Sequence, residues 1–150
     1  MSVNKNSVIR VIEIVLTLFV GLGAVVGAVM MWIDPSGQMW GMAPLLDKLR
    51  VKMPWPEGFF GEFIPSGIVL IVLNGFTQFT ALVLLLRRHR LAPYAVLVCG
   101  IVLMMWTVLE WWVWGFNIQS DVFFGLGVIE TVVALISLKH KPKRFIIWKN

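Results

Sequence analysis

Four long apolar segments dominate the sequence, and polar stretches separate them. They cover about residues 8–33, 63–86, 91–114 and 122–138. A helix that crosses the hydrocarbon core of a bilayer needs roughly 20 apolar residues, and the four segments reach or approach that length. Because they are continuously hydrophobic, without a strong period of two, helices are expected rather than barrel strands. The pattern predicts an all-α, four-helix transmembrane bundle that forms one domain over residues 1–150.

The longest polar stretch lies between the first two segments and is too long for a simple connection. The sequence DPSG at 34–37 has Asp, Pro and Gly at positions that a type I turn favours, so it is expected to stop the first helix. Within residues 42–51, Leu45, Leu46 and Leu49 recur at helical spacing between charged residues. This predicts a short interfacial helix that caps the outer end of the bundle, or acts as a lid over a pocket.

Lysine and arginine are unevenly distributed between the two sides of the predicted bundle. Of the 13 in the chain, ten lie on the side of the two termini and three lie in the first loop. The positive-inside rule then predicts a bacterial inner-membrane protein with both termini in the cytoplasm. The basic and apolar tail at 139–150 is expected to contact anionic membrane lipids, and nucleic acid is not an expected partner.

Small residues recur every four positions in the first segment. Gly23 and Gly27 form one such pair, and Ala24 and Ala28 form another. In lipid, this spacing allows close approach of helix backbones. The expected partner is another helix of the same chain, and a second copy of the protein is the alternative. Gly125, like Gly127, is expected to accept a neighbouring helix in the same way.

Glu130 is the most costly polar residue within the predicted spans. It falls close to mid-depth of the fourth segment, where a carboxylate costs at least about 2.5 kcal/mol on insertion scales. No Lys or Arg lies at that depth, so Glu130 must be protonated, hydrogen-bonded or exposed to a wet cavity. Its candidate partners are Asn74, Gln78, Thr107 and Thr131. A structural Glu130 and one that binds a proton or ligand are both compatible with this position.

Asn74 and Gln78 are separated by one helical turn and therefore share a face of the second segment. Neither amide can reach bulk water at that depth, so both are expected to point into the bundle and bond to another helix. They are interpreted either as structural contacts or as the polar lining of a site for a small ligand or ion. Glu13, three residues after Arg10, is expected to pair with it at the inner interface.

Glu110 lies in the tryptophan-rich stretch VLEWWVWGF at 108–116. It follows the start of the third segment by about twenty residues, which at 1.5 Å per residue spans roughly 30 Å of hydrocarbon. It is therefore expected near the outer interface, where tryptophans form an aromatic belt. The expected members are Trp106, Trp111, Trp112 and Trp114, with Trp32, Trp40 and Trp55 on the same side. Glu110 could also line the outer mouth of a cavity that leads toward Glu130.

Residues typical of catalysis or metal binding are scarce. The lone Cys99 excludes a disulfide within the chain, and it lies in an apolar run. His89 and His140 lie in basic, cytoplasmic surroundings, and no phosphate loop, nucleophile elbow or metalloprotease motif is present. We therefore predict no catalytic residue, metal or cofactor.

Several short motifs carry a resemblance to known proteins: GLGAVVGA at 21–28, DPSG at 34–37, GM at 41–42, FIPSG at 63–67 and NG at 74–75. Together they resemble a group of small, uncharacterised four-span bacterial membrane proteins, over most of the chain. In span number and long first loop, the chain is also similar to the DoxX-like membrane proteins. The first resemblance implies no particular activity, and the second implies a topology but no catalytic residues.

The sequence thus favours a non-enzymatic membrane protein that acts as an accessory subunit or binds a lipid or small molecule. Its partners would be membrane lipids, and either another membrane protein or a second copy. A proton-coupled transporter or channel that uses Glu130 and Glu110 is the first alternative. A membrane oxidoreductase component, by analogy with the DoxX-like proteins, is the second.

Overall fold

The structure, a computed structural model, describes residues 5–53 and 61–139, with side chains from residue 7 onward. This part of the chain is helical and contains no strand. Its five helices are α1 (Lys5–Ile33), α2 (Ala43–Lys52), α3 (Ile64–Leu86), α4 (Ala92–Trp114) and α5 (Ile118–Lys139). All except α2 are long and apolar enough to cross a membrane. The predicted all-α, four-helix transmembrane bundle is confirmed, and the chain is a multi-pass membrane protein.

The four spans form a ring around a common axis. Each of α1 and α4 packs against both α3 and α5, whereas the backbones of α3 and α5 do not approach each other. The turn with Arg87, Arg88 and Arg90 closes one end of the ring, which we call the basic end. Helix α2 covers the opposite end, which we call the cap end, by packing on α4. The arginines of this turn and helix α2 therefore lie at opposite ends of the bundle.

The DPSG sequence forms the predicted turn and ends α1. The Gly37 N–H donates to the Asp34 carbonyl at 3.0 Å, and Gly37 has a φ of +69°, a conformation that favours glycine. The Asp34 carboxylate accepts bonds from the Ser36 hydroxyl at 2.7 Å and the Met39 N–H at 2.6 Å. The bond from Ser36 and those from backbone N–H groups lower the pKa of Asp34, so this turn is held by a charged carboxylate.

Helix α2 confirms the short helix predicted in the first loop. Leu46 and Leu49 are buried against Phe63 and Val113, and the charged residues between them face outward. The Phe63 N–H donates to the Pro35 carbonyl at 2.9 Å, which ties the start of α3 to the turn after α1. The cap is therefore fixed to the bundle by an apolar contact and by a backbone bond.

The last span begins at Ile118, earlier than the predicted start near residue 122. Gly115, which has a φ of +84°, follows the last residue of α4 and ends the helix. The Asn117 side chain then accepts a bond from the Ser120 N–H at 2.9 Å and so caps the first turn of α5. The polar residues at 119–121, which resemble a loop in sequence, therefore belong to the helix.

Small residues set the closest helix approaches. Ala24 and Ala28 are buried, and a Cβ added at Gly75 would lie 3.9 Å from Ala24, while one added at Gly67 would lie 3.3 Å from the Ala28 carbonyl. The Ala24 and Ala28 face of α1 thus packs on α3, while a Cβ added at Gly23 would lie 3.4 Å from the Phe123 ring of α5. The partners are helices of the same chain, as predicted. Gly125, in contrast, has no neighbour within 4 Å of an added Cβ, so it accepts no helix.

Helices α4 and α5 make the tightest backbone contact. A Cβ added at Gly100 would lie 2.7 Å from the Gly127 carbonyl oxygen and 2.9 Å from the Thr131 nitrogen. One added at Gly127 would lie 3.0 Å from the Gly100 carbonyl oxygen. Neither position has room for a side chain, so these two helices form a closely packed hairpin.

Two sequence predictions concern residues beyond this part of the chain. The tail expected to contact membrane lipids covers residues 139–150, of which 140–150 are concerned here. Trp55, a tryptophan of the expected aromatic belt, falls within 54–60. Both lie outside the described residues.

Substitution of Gly100 by Ala is expected to destabilise the bundle by about 1–3 kcal/mol, because the added methyl group meets the backbone of α5. Gly125→Ala is the matched control, since the same change on α5 meets open space. Thermal unfolding in detergent should show a lower midpoint for the first variant and an unchanged or higher one for the second. Equal midpoints would contradict the close packing of α4 and α5.

Candidate functional site

Two residues predicted to meet inside the bundle are joined by a hydrogen bond. The Gln78 side-chain amide donates to Glu130 Oε2 at 2.9 Å, and both side chains are fully buried. Gln78 lies on α3 and Glu130 on α5, which are diagonally opposite in the ring. The bond therefore crosses the centre of the bundle, at a depth where neither group can reach water.

Four polar atoms of this region lack a hydrogen-bond partner within the described residues. They are Asn74 Oδ1, Asn74 Nδ2, Gln78 Oε1 and Glu130 Oε1. An unsatisfied buried polar group costs about 1–3 kcal/mol, and buried polar groups in folded proteins are usually paired. A proton on Glu130, or a ligand that both donates and accepts, would satisfy such atoms. This central polar cluster therefore has the chemistry of a binding site as well as of a structural contact.

Asn74 lies in a helical turn of unusual geometry. Residues Ile71–Phe76 of α3 form a π-helical turn, with Asn74 and Gly75 both buried. Turns of this kind are rare and frequently occur at functional sites. Asn74 is 2% exposed. The change in helical pitch at this turn was not predicted from the sequence. The π turn therefore contains the residue of α3 that contributes a polar group to the cavity described next.

A cavity of about 510 Å³ extends from the cap end toward this cluster. It lies between the four spans and beneath α2, and Asn74 is the polar residue that lines it from α3. Its other polar lining residues include Glu110 and Ser120, near the cap end. Most of the wall is apolar and is formed by side chains such as Met30, Met31, Leu45, Phe63, Leu103 and Phe123. The cavity therefore has an apolar wall with polar groups at its two ends.

Glu110 faces this cavity and has two hydrogen-bond partners. The Trp106 indole donates to Oε1 at 2.6 Å, and the Ser120 hydroxyl donates to Oε2 at 2.6 Å. The expectation that Glu110 lines a cavity agrees with this position. The lining does not include Glu130, however, so Glu110 and Glu130 do not share one site. Ser120 was missed because it precedes the predicted start of the last span.

The tryptophans near Glu110 make specific polar contacts. The Trp111 indole donates to Asp121 Oδ1 at 3.0 Å, and the Trp114 indole donates to the Leu45 carbonyl at 3.0 Å. They therefore connect α4 to the start of α5 and to α2. The predicted aromatic belt at this depth also serves to attach the cap.

The hydroxyls of Thr107 and Thr131 bond within their own helices and not to the Glu130 side chain. The Thr107 hydroxyl donates to carbonyls of its own helix, at 3.1 Å to Leu103 and 2.9 Å to Met104. The Thr131 hydroxyl donates to the Gly127 carbonyl at 2.8 Å. Because a threonine in a helix can satisfy its hydroxyl locally, it does not need a partner on another helix. Of the four partners predicted for Glu130, Gln78 is the one that forms a hydrogen bond.

Glu13 is buried within the bundle. It is 1% exposed, and Thr17, one turn further along α1, is fully buried. The guanidinium of Arg10 donates to the Leu85 carbonyl at 3.0 and 2.6 Å, which anchors α1 to the basic end of α3. The burial of Glu13 could have been predicted from the spacing of residues along α1. The buried face marked by Ala24 and Ala28 continues backwards at helical spacing through Thr17 to Glu13.

Neither a metal site nor a similarity to known proteins indicates the function of this chain. Among the described residues, no group of three or more His, Cys, Asp or Glu side chains could hold a metal ion. No family model, curated protein or solved structure matches the chain. The function therefore has to be inferred from the cavity and the central polar cluster.

Substitutions at Glu130 should separate hydrogen bonding from charge. Glu130→Gln retains an oxygen that can accept from Gln78, so the unfolding midpoint is expected to stay close to that of the wild type. Glu130→Ala leaves the Gln78 amide without a partner and is expected to cost about 1–3 kcal/mol. Glu62→Ala, at an exposed position, is the control for loss of a carboxylate. A fully stable Glu130→Ala variant would show that the bond does not support the fold.

Proposed function

We propose that the protein is a non-enzymatic inner-membrane protein that binds a small amphiphilic molecule in the cavity at the cap end. The observation that carries this proposal is the unpaired Asn74 amide, which is buried at the inner end of a cavity of about 510 Å³. Ligand pockets in proteins typically have volumes of 300–1,000 Å³, apolar walls and a few polar groups that fix orientation. The cavity agrees with all three properties.

The ligand class follows from the polar groups at the two ends of the cavity. An amide both donates and accepts, so Asn74 is suited to a hydroxyl, a carboxamide or a similar group. Glu110 is held by Trp106 and Ser120, and each of its oxygens has a further lone pair for a ligand donor. The apolar wall between them favours a hydrocarbon body. A molecule with a hydrocarbon centre and polar ends matches this arrangement.

The charge distribution supports an orientation in a bacterial inner membrane. Basic residues collect in loops on the cytoplasmic side of such proteins, so the basic end with Arg87, Arg88 and Arg90 would face the cytoplasm. Helix α2 and the cavity would then face outward. The ligand would reach the cavity from the external side of the membrane.

Native mass spectrometry of the protein in mild detergent is expected to show a bound non-lipid mass on the wild type. Asn74→Leu should lose this mass, because leucine can neither donate nor accept a hydrogen bond. Compared with ligand-free wild type, it should unfold at a higher temperature, because it removes an amide without partners. Thr80→Val is the matched control, since Thr80 is exposed and bonds only to the Phe76 carbonyl of its own helix. Retention of the same mass by Asn74→Leu, or a wild type that carries phospholipid alone, would contradict the proposal.

Proton-coupled transport is the second candidate, and a specific observation favours it. Gln78 follows Asn74 by one helical turn on α3, toward the basic end, and holds Glu130 of α5 by a hydrogen bond. Glu130 Oε1 and Gln78 Oε1 are unpaired within the described residues. An ionisable residue within a membrane span is a candidate for proton binding. A ligand on Asn74 and a proton on Glu130 would then lie close together near the centre of the bundle.

Proteoliposomes with an internal pH-sensitive dye test this candidate. An imposed pH gradient should collapse faster with wild-type protein than with Glu130→Gln, which cannot release a proton. Glu130→Asp is expected to retain part of the flux, and Glu62→Gln, at an exposed position, should behave as the wild type. Equal rates for the wild type and Glu130→Gln would exclude a proton-carrying role for Glu130.

A further inference from the structure

A second apolar depression lies on the side of the bundle, between α3 and α4 and below α2. It has a volume of about 360 Å³, and we call it the lateral groove. Helix α3 contributes Val69 and Leu73, and helix α4 contributes Met105 and Leu109. Leu49 of α2 and Met53, which directly follows α2, complete the lining at the cap end. Almost all of its surface is apolar. The lateral groove is separate from the central polar cluster, because none of Asn74, Gln78 and Glu130 lines it.

The lateral groove opens on the outer surface of the spans. Leu73, Leu109 and Met105 are 41%, 42% and 68% exposed, and all three lie within helices that are apolar enough to cross the membrane. At this depth, the surrounding medium is hydrocarbon rather than water. An occupant that reaches the groove from its surroundings must therefore be an apolar chain.

Cations lie on α2 next to the cap end of the lateral groove, although none of them lines it. Helix α2 carries Lys48, Arg50 and Lys52, and Arg50 is paired with Asp47 at 3.3 Å. The two lysines are exposed and lie beside the tryptophans of α4. Lys48 Nζ donates to the Trp114 carbonyl at 3.3 Å, and Lys52 Nζ lies 5.6 Å from the centre of the Trp112 ring. Tryptophan collects at the level of lipid headgroups, so these ammonium groups are expected at the depth of lipid phosphates.

The lateral groove also adjoins the cavity at the cap end. Trp106, Glu110 and Trp114 line both spaces, so these three side chains form a shared wall. The wall is held by the bonds of Trp106 and Ser120 to Glu110 and of Trp114 to Leu45. An occupant of the lateral groove would therefore contact the outer side of the residues that enclose the cavity.

We propose that an anionic phospholipid from the bilayer occupies the lateral groove, with an acyl chain between α3 and α4 and its phosphate at Lys48 and Lys52. Two features select this occupant. The apolar groove lies at hydrocarbon depth, and the cations at its end complement a negative headgroup. The site does not depend on the proposed ligand of Asn74, since no residue of the central polar cluster contributes to it.

Native mass spectrometry with defined lipids tests the site. The wild type in mild detergent is titrated with phosphatidylglycerol, which is anionic, and separately with phosphatidylcholine, which has no net charge. We expect one phosphatidylglycerol to be retained in preference to phosphatidylcholine. Lys48→Gln with Lys52→Gln should weaken its retention by roughly 5-fold for each lysine, as expected for basic residues near a lipid surface. Arg87→Gln with Arg88→Gln, which removes two charges at the basic end, should leave retention unchanged.

The groove itself is tested by filling it. Leu73→Trp places a large side chain in the groove and should abolish retention of the lipid. Val72→Trp is the matched control, because Val72 is 55% exposed on the same helix and does not line the groove. Asn74→Leu should retain the phospholipid even if it loses the ligand of the cavity, so the two proposals fail separately.

Three outcomes would overturn the proposal. The first is unchanged retention by Leu73→Trp, which would place the lipid elsewhere. The second is equal retention of the two lipids together with no effect of the lysine substitutions, which would exclude headgroup recognition. The third is a lipid-free dimer that Leu73→Trp converts to a monomer, which would assign the groove to a second copy of the chain.

Discussion

The hydrogen bond between Gln78 and Glu130 is the contact on which the interior of the bundle depends. It joins α3 and α5, whose backbones do not approach each other, so it is the polar link across the centre of the ring. Within hydrocarbon, a polar side chain has to find its partners inside the protein. The bond uses the Gln78 nitrogen as donor and Glu130 Oε2 as acceptor, and it leaves Gln78 Oε1 and Glu130 Oε1 unpaired within the described residues. The same interaction therefore supports the fold and leaves acceptors for a ligand or proton.

The features that sequence analysis predicted correctly are those set by simple physical limits. The length of hydrocarbon determines the number of spans, and the DPSG turn follows from the preferences of single backbone positions. The short helix α2 follows from its leucine spacing, and Leu46 and Leu49 are buried as expected. The meeting of Gln78 and Glu130 was predictable because a carboxylate at mid-depth needs a hydrogen-bond donor, and few were present at that depth. Each of these arguments concerns one segment or one strong energetic cost.

The features that were missed depend on how the helices are rotated against each other. Gly125 and Gly100 are alike in sequence, but only Gly100 faces a neighbouring helix, where an added Cβ would meet backbone atoms. Thr107 appeared to be a partner of Glu130 and instead bonds within its own helix. The π turn at Asn74 changes which side chains of α3 face inward, and no residue pattern marks it. Which side of each helix faces a neighbour depends on packing between segments, and a single sequence does not reveal that packing.

The bond across the ring also has a consequence for how the protein enters the membrane. Helix α3 precedes α5 in the chain, so during synthesis Gln78 reaches the bilayer before Glu130 does. Insertion of a carboxylate into a bilayer without a partner costs at least about 2.5 kcal/mol. A hydrogen bond to an amide that is already in the bilayer offsets part of this cost. The order of the spans thus allows the most polar one to be inserted last, next to helices that can receive it. Exchange of the order of these two segments would remove that advantage even if the Gln78–Glu130 bond still formed in the finished bundle.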